Sequence, residues 1–198
     1  MNVRHRTPSI DVARSILDAA AMLLEQDGPD ALSVRRIATS ADVAPMGVYN
    51  HFESKSGVVD ALFRRGFALL HDELEVAHRS VDPEEALRTG LAIYRRLALA
   101  RPATYRLMLM RAVPAFEPSE ESVLVAESAF MQLVRSVDRM MEAGLFAVGD
   151  DREIAQRIWA ACHGWISLEM FGIGFTGDPD AGYDGLVDVL VAGLRPTA

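Results

Sequence analysis

Residues 33–63 read SVRRIATSADVAPMGVYNHFESKSGVVDALF. Val34, Ile37, Ala38 and Ala41 recur at helical spacing, which gives one short helix a single apolar face. Ser33 stands where a side-chain oxygen caps that helix. Ala41-Asp42-Val43 forms a tight turn, and a second short helix follows from Pro45 to His51. Proline suits the first helical position, because the N–H it lacks has no partner there. Val43, Val48 and Phe52 can face inward, which leaves Met46, Gly47, Tyr49, Asn50 and His51 outside. A short exposed helix bearing small, aromatic and polar groups is what a DNA major groove accepts. Ser54 then caps a third, longer helix, with Lys55 in its first turn. A cation there opposes the helix dipole, a cost that a facing phosphate offsets.

Working outward, the first helix spans Ser9 to Asp27 and carries one stripe: Ile10, Ala13, Ile16, Leu17, Ala20, Leu23 and Leu24. Gly28-Pro29 ends it. Before it, residues 1–8 hold Arg4, His5 and Arg6, either a disordered tail or an arm toward the minor groove or phosphates. Beyond the motif, the fourth helix runs to about Ser80, and breaks fall at Asp82-Pro83 and Arg101-Pro102. Further helices are expected at 83–100, from 102 to about 112, at 119–143, at 151–171 and at 183–194. Alternating β-type segments are absent. The fold class is all-α: a three-helix head at 1–55 and a helical body at 56–198, about nine helices altogether.

Charge at first argues against a nucleic-acid partner. The 198 residues carry a net charge of -8. Residues 1–55, however, hold six Lys and Arg against seven Asp and Glu, while the other 143 residues hold 14 against 21. The head is therefore nearly neutral and the body acidic. DNA affinity then depends on a few placed cations, caps and helix N-termini. Cys162 is the single cysteine, which excludes a disulfide framework and fits a reducing cytoplasm. It reads as a small core residue; a redox role is the alternative. No apolar stretch has the length of a signal peptide or a membrane span.

The motif resembles the DNA-binding domain of the tetracycline repressor family of bacterial regulators. The residues that carry the likeness are Ser33, Val34, Ile37, Ala38, Ala41, Val43, Val48, Tyr49, His51-Phe52, Ser54, Lys55 and Leu62. Two positions depart from the family pattern. Asp42 stands where glycine is usual, and Ala44 where a capping serine or threonine is common. The body is similar to a subgroup with a Trp-His-Gly-type signature, here Trp159, His163 and Gly164, with Arg101-Pro102 and Tyr105 to Met108 upstream.

The resemblance implies a homodimeric transcription regulator, a repressor released from operator DNA by a small molecule. DNA-binding candidates are Ser33, Arg35, Arg36, Pro45, Met46, Gly47, Tyr49, Asn50, His51 and Lys55. Pro45, Met46 and Asn50 are placed for bases; Ser33, Tyr49, His51 and Lys55 for phosphates. Two helices per subunit would form the dimer interface, through Ile158, Ile166, Leu186, Val187, Leu190 and Val191. An effector held in the body would be largely apolar. Its candidate lining is Phe67, Tyr94, Tyr105, Met108, Phe116, Phe130, Met131, Trp159 and His163, where methionines can repack around several ligands.

An enzyme is the competing class. The sequence offers no nucleophile elbow, phosphate-binding glycine loop or zinc spacing, and no motif that requires a cofactor or metal. A ligand- or protein-binding dimer without DNA recognition is the remaining alternative. The effector, the operator and the choice between repressor and activator are not written in the sequence.

Overall fold

The computed structural model describes residues 9–175 and 177–196. Arg4, His5 and Arg6 lie outside the described residues. Among those described, the chain forms nine α-helices and a 3-10 turn, with no strand. The helices are α1 (Ser9–Asp27), α2 (Val34–Ser40), α3 (Pro45–Phe52), α4 (Lys55–Ala77), α5 (Pro83–Ala100), α6 (Pro102–Leu109), α7 (Glu120–Glu142), α8 (Asp151–Met170) and α9 (Pro179–Gly193). The 3-10 turn is Pro29–Ala31.

Two compact units emerge. The first joins residues 9–67 to 101–124; the second joins 68–100 to 125–196. This grouping differs from a division at residue 55, and the reason lies in α6. Its N-cap, Arg101, offers no side-chain bond. Instead the Glu25 carboxylate of α1 accepts the N–H groups of Ala103 at 3.1 Å and Thr104 at 2.8 Å. An acid at a helix N-terminus is favourable, so α1 supplies the cap that α6 lacks. Ala103 and Leu107 then join the core of Ile16, Leu24, Leu32, Ile37, Val48 and Val58.

Backbones approach closely at two glycines of this unit. A Cβ at Gly57 would lie 1.9 Å from the Phe52 carbonyl oxygen, so the corner between α3 and α4 requires glycine. A Cβ at Gly66 would lie 2.5 Å from Met108 Sδ, which lets α4 and α6 pack tightly. Asp60 of α4 ties down the start of α7. It accepts the Ser119 N–H at 2.9 Å, the Ser119 hydroxyl at 2.8 Å and the Ser122 hydroxyl at 2.9 Å.

The second unit is held by α5, α8 and α9 around Leu87, Leu91, Ile158, Cys162, Ile166, Val187 and Val191. Arg95 fastens the three helices. Its guanidinium donates two bonds to Glu169, at 2.9 and 2.6 Å, pairs with Asp180 at 2.7 Å and stacks over the Tyr183 ring at 5.3 Å. These partners hold the Arg95 pKa above its ordinary value, Glu169 foremost. Tyr183 donates its hydroxyl to the Leu91 carbonyl at 3.0 Å.

Several boundaries moved from expectation. α9 starts at Pro179, a turn earlier, because Asp178 caps it through the N–H groups of Asp180 and Ala181. Gly182 is helical rather than part of the loop. α4 ends at Ala77. Ile10 stands exposed at the start of α1, outside the core its stripe joins.

Candidate functional site

The geometry of the head begins with α2. Ser33 Oγ accepts the Arg36 N–H at 3.3 Å, which leaves its own hydroxyl proton free to donate outward. Val48 is the one fully buried residue of α3, and it fixes that helix's rotation against Ile37 and Ala38. With Val48 inward, Pro45, Met46, Tyr49 and Asn50 are exposed, Met46 at 65% and Tyr49 at 47%. Gly47, His51 and Ser33 are half-buried. Arg35 and Lys55 are exposed, and the Ser54 hydroxyl caps α4 through the Gly57 N–H at 3.1 Å.

Sequence reasoning missed two features of this face. The Arg36 guanidinium is paired with Asp27 at 2.5 Å, so its charge is balanced within the head. The turn and the end of α3 are left-handed, with φ of 53° at Asp42 and 62° at Glu53. Aspartate tolerates the left-handed region better than most residues, while nothing local signals it at Glu53. Ala44, the N-cap of α3, makes no side-chain bond, as its methyl group dictates.

The body candidates divide between the units. Phe67, Tyr105, Met108 and Phe116 belong to the first; Tyr94, Phe130, Met131, Trp159 and His163 belong to the second. In the first, Phe63 packs on Phe67 with ring centroids 4.9 Å apart and on Phe116 at 5.8 Å. Tyr105 is buried and Met108 lies against Gly66. In the second, four residues assemble. Trp159 Nε1–H donates to the Tyr94 hydroxyl at 2.9 Å, which lies 3.4 Å from His163 Nδ1. Phe130 sits against Trp159 at 6.0 Å between centroids. Burial pushes the His163 pKa down, which favours a neutral ring near pH 7. Met131 is half-buried.

A shallow groove of about 420 Å³ opens on α1, lined by Asp11, Arg14, Ser15, Asp18, Ala19, Met22 and Ser40. His71 and His78 meet one residue of α7: His71 through the Gln132 side-chain amide at 2.9 Å, His78 through its backbone carbonyl at 3.1 Å. Among the described residues, no helix is long and apolar enough to cross a membrane.

Of the six interface candidates, Ile158, Ile166, Val187 and Val191 are buried inside the protomer. They lie among the packed residues of α8 and α9. Leu186 and Leu190 remain half-exposed. The apolar residues left outside on these helices are Leu168 at 51% and Val189 at 70%, followed by Phe171 after α8.

The match to known proteins covers both halves. Residues 16–62 match the family described as bacterial regulatory proteins, tetR family. Residues 87–190 match the tetracyclin repressor-like C-terminal domain, which spans Trp159, His163 and Gly164. The chain belongs to the tetracycline repressor family. An uncharacterized HTH-type transcriptional regulator of Mycobacterium tuberculosis is 24% identical over 185 residues, 91% of this chain and 80% of that one. A Rhodococcus sp. RHA1 protein of unknown function superposes with a TM-score of 0.86 at 26% identity, covering 99% of this chain and 100% of the other. The TetR family regulator PfmR from Thermus thermophilus has the same fold, with a TM-score of 0.67 at 21% identity over 91% of this chain and 99% of its own. This family member is a DNA-binding transcriptional regulator with an N-terminal helix-turn-helix.

Proposed function

We propose that the protein is a homodimeric repressor, released from its operator by a small, largely apolar effector. The observation that carries this reading is the exposed face of α3. Val48 anchors the helix, and Pro45, Met46, Tyr49 and Asn50 are presented together. Pro45 and Met46 offer apolar contact to a thymine methyl, and Asn50 can pair with adenine. Tyr49, Lys55, His51 and the free proton of the Ser33 hydroxyl serve phosphates, with Gly47 allowing close approach. Arg35 adds an unbalanced cation. Arg36 contributes less, because Asp27 holds it.

Dimers of helix-turn-helix proteins match two half-sites through their own two-fold symmetry. The self-association surface is assigned to Leu168, Val189, Leu186 and Leu190, the apolar side chains that α8 and α9 leave uncovered. The effector reading draws on the aromatic and methionine candidates, with Tyr94 and His163 as polar contacts. α4 contributes residues to both units and is the element assigned to carry the switch. An effector shifts that equilibrium only by its differential affinity for the two states. Head at 1–55, sensing body at 56–198 and action in the cytoplasm complete the reading.

The test is fluorescence anisotropy of the purified protein on DNA upstream of its own gene, at fixed near-physiological salt, beside a scrambled duplex. Tight, preferential binding supports a regulator. If neither duplex is preferred, selection from a random duplex pool decides. A pool that yields no enriched sequence leaves the dimer without DNA recognition as the better account.

A further inference from the structure

The backbone at the two ends of α3 sets it apart from the rest of the chain. Among the described residues, four that are not glycine have left-handed φ: Asp42, Glu53, Arg111 and Ala115. The two acids bracket the reading helix. Asp42 precedes the N-cap Ala44 by two positions, and Glu53 is the C-cap. Both side chains are exposed.

The charge of neither acid is explained by the architecture of the head. No side chain caps α3, so Asp42 does not serve as its cap. A carboxylate at the C-terminal end, where Glu53 sits, opposes the helix dipole. Among the described residues neither forms an ion pair. Arg36 is engaged elsewhere, with Asp27 at 2.5 Å, and so is Arg65 of α4, with Asp18 at 2.5 Å. The left-handed backbone is itself unfavourable, because Cβ crowds the following carbonyl. Glycine at either position would remove both the crowding and the charge.

α3 has eight residues and is therefore about 12 Å long. The major groove is about 12 Å wide. Both ends of a helix seated in that groove lie within about a Debye length, ~10 Å, of phosphates. Phosphates carry the same charge at every base pair, so a carboxylate near each end repels any duplex, whatever its sequence.

We propose that Asp42 and Glu53 limit DNA affinity: an acid at each end of the reading helix weakens binding to all duplex DNA alike. The net attraction to phosphates that Lys55 and Arg35 supply is reduced accordingly. Occupancy depends on the base contacts of α3, and a small loss of fit is enough for release. The proposal rests on the DNA-binding reading.

Two pairs of variants test it. Asp42→Asn and Glu53→Gln remove charge and leave the chain to make the same left-handed turns. Asp42→Gly and Glu53→Gly remove charge and crowding together. Each is measured by anisotropy on a mixed-sequence duplex, and on the duplex that wild type selects from a random pool, across a salt series. Each charge variant is expected to tighten both duplexes by about two- to fivefold at low salt, with the gain shrinking as salt rises. The glycine variants should gain no more affinity than these, while melting at higher temperature. Unchanged affinity in the charge variants, a gain confined to glycine, or a gain on only one duplex would overturn the proposal. Wild-type protein that binds neither duplex overturns the regulator reading, and this proposal with it.

Discussion

α3 and α8 are opposite uses of a helix in one chain. α3 buries a single residue, Val48, and presents most of its surface. α8 buries Ile154, Ala155, Ile158, Cys162 and Ile166, and its polar side chains engage α5: Trp159 with Tyr94, Glu169 with Arg95. A substitution on the outside of α3 should therefore alter binding and leave stability alone. A substitution in the α8 lattice should do the reverse. Contact surface and scaffold are separable here because few residues serve both.

The largest effect is expected where the reading helix meets α4. Gly57→Ala drives a Cβ into the Phe52 carbonyl. It should cost about 3 kcal/mol of stability and abolish DNA binding, since the corner cannot form. Thermal unfolding with anisotropy on the same sample checks it; a normal melt with intact binding would break the assignment of that corner. Next is Arg95→Met, which strands Glu169 with both side chains largely buried, 14% and 17% exposed. A loss of about 2–3 kcal/mol is expected in denaturant unfolding, while DNA affinity of the folded protein holds. Loss of affinity at full folding would show that the two regions are not separable. Tyr49→Phe should weaken binding to all sequences about fivefold, with the melting temperature unchanged. Unchanged affinity removes Tyr49 from the phosphate set.

The smallest effect concerns pH. Burial works to raise the Asp60 pKa, but bonds from Ser119 and Ser122 and the nearby Arg64 charge outweigh it and hold the carboxyl below its ordinary value. A depressed folded-state pKa stabilises the protein above the unfolded value, about 3.9. That contribution fades as pH falls through the folded value. Asp60→Asn should therefore flatten the acid limb of the stability curve. An identical limb in wild type and variant would show that the α4–α7 tie is not electrostatic.

How much of this was legible follows from the range of each interaction. Ser33, Pro45, Ser54 and Gly28 mark ends of elements by local chemistry, and the structure places those ends where they indicate. Asp178-Pro179 carries an equally local signal, obscured by the surrounding glycines. The Glu25 cap of α6 links residues 78 and 79 positions apart, and no window of sequence contains it. The same holds for Arg95 and Glu169. The burial of Ile158, Ile166, Val187 and Val191 within the protomer escaped the sequence for a different reason. Periodicity finds the apolar side of a helix, and it cannot tell whether the cover comes from the same chain or from another. Which body candidates share a unit was not legible either, because aromatic spacing records burial, not proximity.

Cys162 carries a last consequence. It is the only thiol in the sequence and is wholly buried, and burial pushes its pKa up, so it stays protonated and slow to react. The protein is ready for labelling chemistry without prior removal of native cysteines. A cysteine introduced at the exposed Val148 would take a maleimide dye selectively, and the slow reaction of Cys162 itself would clock the opening of α8.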